Sequence, residues 1–447
     1  MGTPMRVAWF SPLPPHASGI AAYSVEVVPL LTSRFGALDL YSAPSFTAAT
    51  GAINPTEFTW RHRRQPYDLV VYQLGNSSAH DFMWSFLFRY PGLVVLHDAQ
   101  VHQARALWLL NRIEPRLDDY LAEVRASHPD AAPDLGHLFA AGLGGELYRL
   151  WPLVSLVLGS SRLTVVHNSH LARKLAASHP NAAITAIEMG TADPLQGRPA
   201  LAAEAAAIRL HHHIPEQAVV VGAYGGITPE KRIPQLLEAV ASLGEALPLH
   251  VLLVGQRAAH YDVDADIARL GLAGRVGIAG YVPDQALPAH LAAADICWCL
   301  RWPSNGETSA SWIRCLAAGR PTLITALAQL QDVPAICADE VASLDPAANT
   351  EVLGVSIDPL EEPQEVPRAL AALAARPDLR RMLGVQARTY WESRHTLTQM
   401  ATAYERLIAD AASRPVPAFP LPTHLRDDGT ATARRILSEM GVGALPW

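Results

Sequence analysis

Residues 218–240 read AVVVGAYGGITPEKRIPQLLEAV. The run Ala218 to Ala223 is short, apolar and of the length that a strand buried on both faces of a parallel sheet requires. A glycine pair (Gly225, Gly226), a polar turn, the basic pair Lys231 and Arg232 and an amphipathic segment follow in that order. This is the pattern of a βα unit whose turn can hold an anion at the carboxyl end of a strand. A helix dipole disfavours cations at the amino end, so Lys231 and Arg232 read as contacts for a bound anion, with a plain surface pair to Glu230 as the simpler alternative.

Outward from this unit the same rhythm repeats. Downstream, apolar runs recur at His250 to Val254, Val276 to Ala279, Ile296 to Leu300, Pro321 to Thr325 and Val352 to Ile357. Upstream they stand at Arg6 to Phe10, Ala37 to Tyr41, Asp68 to Gln73, Gly92 to Leu96, Leu163 to Val166 and Ile184 to Ile187. Strand alternating with helix twice over predicts two doubly wound α/β domains. The join falls in Thr191 to Glu216, which is rich in Pro, Gly and Ala and carries His211, His212 and His213. The expected layout is a first domain over 1–195 with a helical insertion at about 100–160, a second over 216–395, and a helical, Pro-rich tail over 396–447. The GLGG of the insertion follows no strand, so it reads as packing glycines rather than a nucleotide loop.

Composition sets the frame. A chain of 447 residues that is 50% hydrophobic and 17% charged is globular and of two or three domains, not disordered or fibrous. Its net charge of -7 predicts no general affinity for nucleic acid or anionic lipid, so an anionic ligand must find its counter-charge locally. Only Lys174 and Lys231 are lysines, against an otherwise all-arginine basic set. Cys297, Cys299, Cys315 and Cys337 show no CxxC or Cys/His spacing, which predicts free thiols and no metal site. The start, MGTPMRVAWFSPLPP, shows no signal-peptide pattern, and no apolar stretch reaches about eighteen residues. A cytoplasmic protein is expected, compatible with peripheral association at the inner face of a membrane.

Two further segments have the form of anion sites. SPLPPHASGIAAYSVEVVPLL (residues 11–31) brings Gly19 to the start of a helix, where unpaired amides and the dipole suit phosphate. The GxGxxG and GxxxxGK[ST] fingerprints are absent, which argues against a dinucleotide dehydrogenase and a P-loop enzyme. DICWCLRWPSNGETSASWIRCLAAGRPTLIT (residues 295–325) places Glu307 just before a helix whose first turn holds Ser309, Ala310 and Ser311, with Gly319 as its left-handed cap. Open amides there would hold phosphate and the carboxylate would hold sugar hydroxyls.

On five segments together the chain resembles the retaining GT-B glycosyltransferases of family four (glycosyl transferases group 1). They are PLPPHASGIAAYS, VVLHDAQVH, VVGAYGGITPEKR, HVLLVG with GYVPDQALPAHLAAADI, and ETSASWIRCLAAGRPTLIT, in the family's order over about residues 6–325. The resemblance implies two Rossmann-like domains facing across a cleft, a last helix returning to the first domain, and metal-independent chemistry without a cofactor. It also implies a UDP- or GDP-sugar donor on the second domain and a carbohydrate, lipid-linked or other hydroxyl acceptor on the first. Gly19 matches the loop glycine beside the donor phosphates, His97 the histidine near the transferred sugar, Lys231 the diphosphate lysine, and Glu307 the first glutamate of the paired-glutamate motif. Gly225, Gly226, Arg232 and residues Thr308, Ser309, Ala310 and Ser311 are the other expected donor contacts, with Gly280, Tyr281 and Val282 beside the base. Asn76, His80 and Asp98 are assigned to the acceptor side.

Two positions depart from the family. The second glutamate, which binds the ribose, is replaced by Cys315, and a thiol cannot accept two hydroxyl hydrogen bonds as a carboxylate does. The usual arginine five residues before the lysine aligns with Gly226, leaving Arg232 to supply the charge. The expected activity is retaining sugar transfer in bacterial glycan or polysaccharide biosynthesis. The rival readings are a non-catalytic GT-B protein that binds nucleotide or glycan, and a sugar-nucleotide epimerase.

Overall fold

The computed structural model describes residues 5–16, 18–43, 51–347, 351–426 and 430–442. The first four residues and residues 427–429 of the Pro-rich arm, both within stretches read above, lie outside them. The chain divides into two compact units. One is Met1–Ile187 with Ala401–Trp447, and the other is Glu188–Met400.

Among the described residues the first unit has six strands: β1 (Arg6–Phe10), β2 (Ala37–Tyr41), β3 (Leu69–Leu74), β4 (Leu93–Leu96), β5 (Leu163–Val166) and β6 (Ile184–Ala186). All neighbours are parallel and the order is β2-β1-β3-β4-β5-β6. β3, β4 and β5 are buried along their whole length, as strands covered by helices on both faces must be. The order reverses between β1 and β3, and in open α/β sheets the crevice beyond that switch point is where ligands bind. Residues 100–160 form a helical excursion with helices His102–Leu110, Leu117–Ser127, Leu135–Ala140 and Ser155–Ser160. There a Cβ on Gly144 would lie 2.4 Å from the Phe139 ring and 2.7 Å from Tyr148, so this GLGG glycine is a packing residue. The returning helix Leu397–Ser413 is fastened to the unit by Tyr404, whose hydroxyl meets that of Tyr23 at 2.6 Å, and by Glu405, 2.7 Å from Arg34.

Among the described residues the second unit has seven parallel strands: β7 (Val219–Tyr224), β8 (Leu249–Val254), β9 (Val276–Gly280), β10 (Ile296–Cys299), β11 (Thr322–Thr325), β12 (Ala335–Cys337) and β13 (Gly354–Ile357). Their order is β12-β13-β11-β10-β7-β8-β9, so this sheet switches direction between β7 and β10. Those are the two strands whose following loops are the glycine-pair segment and the Glu307 segment. The helix Leu201–His211, inside the stretch read as the join, packs Ala205 and Ile208 against the second unit's core. Every apolar run read as a strand is one. Among the described residues the strand missed is β12, a three-residue edge strand ending in the exposed Cys337, too short to show a pattern.

Candidate active site

At the switch point of the second unit, β7 ends at Tyr224 and the chain turns at Gly225, whose φ of +91° a side chain would strain. A Cβ there would also lie 2.1 Å from Lys231 Nζ and 3.4 Å from Ser311 Oγ. The ammonium of Lys231 and the first turn of helix Ala310–Ala317 therefore meet over one glycine. Lys231 ends a short 3-10 turn, Pro229–Lys231, and donates from Nζ to the Tyr224 carbonyl. Its own carbonyl accepts from Trp298 Nε1 of β10 at 2.8 Å, which ties the two switch-point strands together. Burial first, then the neighbouring Arg301 guanidinium, push the Lys231 ammonium down to about 7. A cation held out of water beside another cation is one that an anion would stabilise.

Glu307 lies in the loop that leads from β10 to helix Ala310–Ala317. Its carboxylate accepts from Arg301 Nη1, from Ser304 Oγ at 3.1 Å and from the Asn305 amide at 2.8 Å. Burial alone would raise its pKa, but the Arg301 guanidinium and the loop amides outweigh that and hold the carboxyl below its usual range. Ser309 caps the helix, its Oγ accepting from Trp312 N at 3.3 Å, and leaves the amides of Ala310 and Ser311 in the first turn. Thr308 joins Glu307 to that cap. On the neighbouring edge Gly280 closes β9 with φ +69° and open space where a Cβ would go, Tyr281 is exposed, and Val282 packs on the core beneath.

Arg232 does not reach this group. It adopts a left-handed conformation (φ 57°) at the start of helix Ile233–Ser242 and turns its guanidinium to Glu362, with Nε at 2.8 and 3.0 Å from the two carboxylate oxygens. Glu362 is buried, so Arg232 is spent on neutralising it and the charge missing at Gly226 is not supplied from there. The second cation of the site is Arg301, which sequence reasoning missed because one arginine among so many carries no signal by itself.

Cys315 faces the interior. It is fully buried in a cluster with Tyr224, Val254, Leu291 and Cys297, and burial pushes its thiol upward. The carboxylates that could have replaced the missing glutamate lie at exposed contacts, Glu188 3.5 Å from Arg394, Glu238 3.5 Å from Arg269 and Glu230 3.8 Å from His260.

In the first unit, the loop after β1 leads through Ser18, which accepts from Ala21 N at 3.1 Å, into helix Gly19–Thr32. Gly19 is exposed, with nothing within 4 Å of a Cβ placed on it. His97 directly follows β4, and both its ring nitrogens have protein partners: Nε2 lies 2.8 Å from Gln73 Oε1 and Nδ1 lies 3.2 Å from His167 Nε2. Tyr23 sets its ring edge-on to His97 at 4.8 Å. Burial, then His167 and His80, lower His97 well below its ordinary pKa and keep it neutral. Gln73 also donates to Tyr404 at 3.3 Å, so the returning helix braces the same cluster. Gln73, His167, Tyr23 and Tyr404 were not predicted; Gln73 carried the one available signal, a polar residue at the end of an apolar run.

The acceptor-side residues divide. His80 is buried under Gly75, and burial with the nearby His16 lowers it to about 3. Asn76 accepts from the Ala104 amide at 2.9 Å and Asp98 from the Gln100 amide at 3.0 Å, both shaping turns around the insertion. Among the described residues no group of three or more His, Cys, Asp or Glu side chains is arranged to hold a metal ion, and no helix is long and apolar enough to cross a membrane.

Residues 205–390 match the family described as Glycosyl transferases group 1. Over 122 residues the chain is 30% identical to a 2-deoxystreptamine glucosyltransferase of Streptomyces kanamyceticus, a match spanning 27% of this chain and 31% of that protein. Among solved structures, HepE of Anabaena in complex with UDP superposes with a TM-score of 0.58 at 14% identity, covering 91% of this chain and 100% of that one. Sucrose-phosphate synthase of Thermosynechococcus elongatus gives 0.61 at 16% identity, covering 91% and 98%. The catalytic domain of starch synthase IV of Arabidopsis thaliana, bound to ADP and acarbose, gives 0.59 at 12% identity, covering 92% and 100%. Residues 205–390 of this chain thus match the glycosyl transferases group 1 family, and the fold of its two Rossmann-like units is similar to that of these solved glycosyltransferases.

Proposed function

We propose that the protein is a glycosyltransferase that moves a sugar from a nucleoside diphosphate donor to a hydroxyl acceptor with retention of configuration, in bacterial glycan biosynthesis. The observation that carries this reading is the meeting of Lys231 Nζ, Gly225 and Ser311 at the β7/β10 switch point. An ammonium, open helix amides and a glycine that lets a ligand approach the backbone make a diphosphate cradle. Both HepE, recorded with UDP-glucose, and starch synthase IV, recorded with ADP, support a nucleotide-bearing ligand for this fold.

In the proposed reaction the bond between the sugar C1 and the diphosphate oxygen breaks, and its electron pair goes to the leaving phosphate. Lys231 and the amides of Ala310 and Ser311 stabilise that growing charge, with Arg301 beside them. Glu307, fixed by Arg301, Ser304 and Asn305, holds donor hydroxyls. The acceptor oxygen bonds to C1 and its proton passes to the departing phosphate on the same face, so no protein nucleophile is required. The counter-charge comes from Lys231, and the reading assigns no metal. We assign the acceptor to the first unit, in which His97 is neutral and both its ring nitrogens are held by Gln73 and His167.

Cys315 removes the ribose carboxylate, so this protein holds its donor through the diphosphate and the sugar. The test is release of nucleotide from a panel of UDP- and GDP-sugars with and without acceptor alcohols, at neutral pH and in the presence of a chelator. Turnover that is lost in Lys231→Ala supports the proposal. Tight nucleotide binding without turnover supports the non-catalytic reading, and interconversion of two nucleotide sugars without an acceptor supports the epimerase. Fractionation of cells decides between a freely cytoplasmic protein and one associated with the inner face of the membrane.

A further inference from the structure

The first unit also holds a cavity apart from the residues described above. A cavity of about 690 Å³ is walled by helices Phe58–Arg64, Trp84–Arg89 and His102–Leu110 and by the short tail helix Thr423–Arg426. None of its lining residues belongs to the His97 cluster or to the Lys231 site.

At its base is Arg105, only 2% exposed although arginine is seldom buried. Arg105 Nε donates to Glu123 Oε2 at 2.8 Å, Nη2 donates to Glu123 Oε1, and the guanidinium lies 4.7 Å from the centre of the Trp84 ring. Glu123, fully buried, also takes His424 of the tail at 2.8 Å. Its charge is already shared between two partners, and the third guanidinium nitrogen, Arg105 Nη1, is buried with no hydrogen-bond partner. Trp84 Nε1, in the same wall, is in the same condition. Two buried donors without acceptors beside one cavity are a standing cost that an acceptor oxygen would remove.

The charge of the lining points the same way. Arg63 and Arg116 add two exposed guanidinium groups, that of Arg116 paired to Asp119 at 2.6 Å, and the acid among the lining residues is Asp81, which burial lifts to about 6 despite Arg105 and Arg112. Half-buried Trp108, with Arg112 4.8 Å from the centre of its ring, supplies a flat apolar wall, whereas the Trp84 ring is buried beneath Arg105. Guanidinium groups recognise carboxylate and phosphate by paired hydrogen bonds, and indoles recognise rings. The volume is that of a small-molecule site. We propose that this cavity binds an anionic, ring-bearing small molecule, its phosphate or carboxylate held by Arg105 with Arg63 and Arg116 and its ring against Trp108. The proposal stands independently of the sugar-transfer reading, because none of its residues lies in the second unit.

The test is calorimetric titration of the full chain carrying Lys231→Met, which silences the other phosphate site, with phenyl phosphate, phenylacetate, inorganic phosphate and benzyl alcohol as probes. Binding of one phenyl phosphate or phenylacetate per chain is expected, at least about tenfold tighter than inorganic phosphate or benzyl alcohol. Which of the two anions binds more tightly identifies the natural head group. The double substitution Arg63→Ala with Arg116→Ala, both on exposed positions that leave the fold intact by circular dichroism, should weaken that binding at least about tenfold. Absence of binding by either aromatic anion, equal affinity for benzyl alcohol or inorganic phosphate, or unchanged affinity in the double variant would each overturn the proposal.

Discussion

If Lys231 is the diphosphate contact, donor affinity must follow its protonation. In the empty site burial and Arg301 hold the ammonium to about 7, whereas a bound diphosphate restores it toward the ordinary lysine range. Binding then takes up a proton above neutrality. For one such group the dissociation constant should rise about thirtyfold between about pH 6 and about pH 8.5, approaching a factor of about ten per unit at the upper end. The sign for stability is opposite. The unfolded chain, with lysine near 10.5, holds the proton more firmly than the folded one between about pH 7 and 10.5, so this residue's contribution to stability rises with pH in that window. Loss of affinity therefore cannot be charged to Lys231-driven unfolding. Calorimetry with UDP-glucose as probe is suitable, because its diphosphate is a diester with no proton to lose in this range. The wild-type protein should show the rise, and Lys231→Met should bind weakly and with a flat profile. A wild-type affinity constant within about threefold across the range would refute the reasoning.

Gly225→Ala combines a left-handed backbone cost of about 1–2 kcal/mol with a methyl group placed 2.1 Å from Lys231 Nζ, so donor binding should fall at least about tenfold while circular dichroism stays native. Arg232→Ala leaves the buried Glu362 without its cation and should destabilise the second unit by about 3 kcal/mol, read as a lower denaturant midpoint, with far less effect on donor affinity in the folded protein. Cys315→Ser should change donor affinity by less than about threefold, measured by calorimetry, because the thiol lies inside an apolar cluster and not at the ligand surface.

Much of the architecture could be read without coordinates, since strands buried on both faces write themselves as unbroken apolar runs. Val219–Tyr224 and Leu249–Val254 are such strands, whereas Ala335–Cys337 at the sheet edge is not. The anchoring positions of the site were legible where backbone demands and chemistry coincide. Gly225 must take a positive φ, and Lys231 follows it at the length of one turn. What stayed hidden were pairings between distant segments. Arg232 and Glu362 are 130 residues apart, and nothing local distinguishes an arginine that meets a phosphate from one that meets a buried carboxylate. Gln73 and Tyr404, 331 residues apart, are joined only when the tail helix returns. Arg301 was lost for the opposite reason, being near Glu307 in the chain but one arginine in an arginine-rich composition.

The central claim is that Lys231 and Glu307 at the β7/β10 switch point form a donor site used in turnover. The most direct measurement is the rate of sugar release from the nucleotide-sugar panel by the wild-type chain, Lys231→Ala and Glu307→Ala under one set of conditions. The account predicts turnover in the wild type and a loss of at least about a hundredfold in kcat/KM in each variant, or about 2.7 kcal/mol of transition-state stabilisation. Turnover that survives either substitution, or wild-type protein that binds nucleotide tightly and turns over none of the panel, would contradict it.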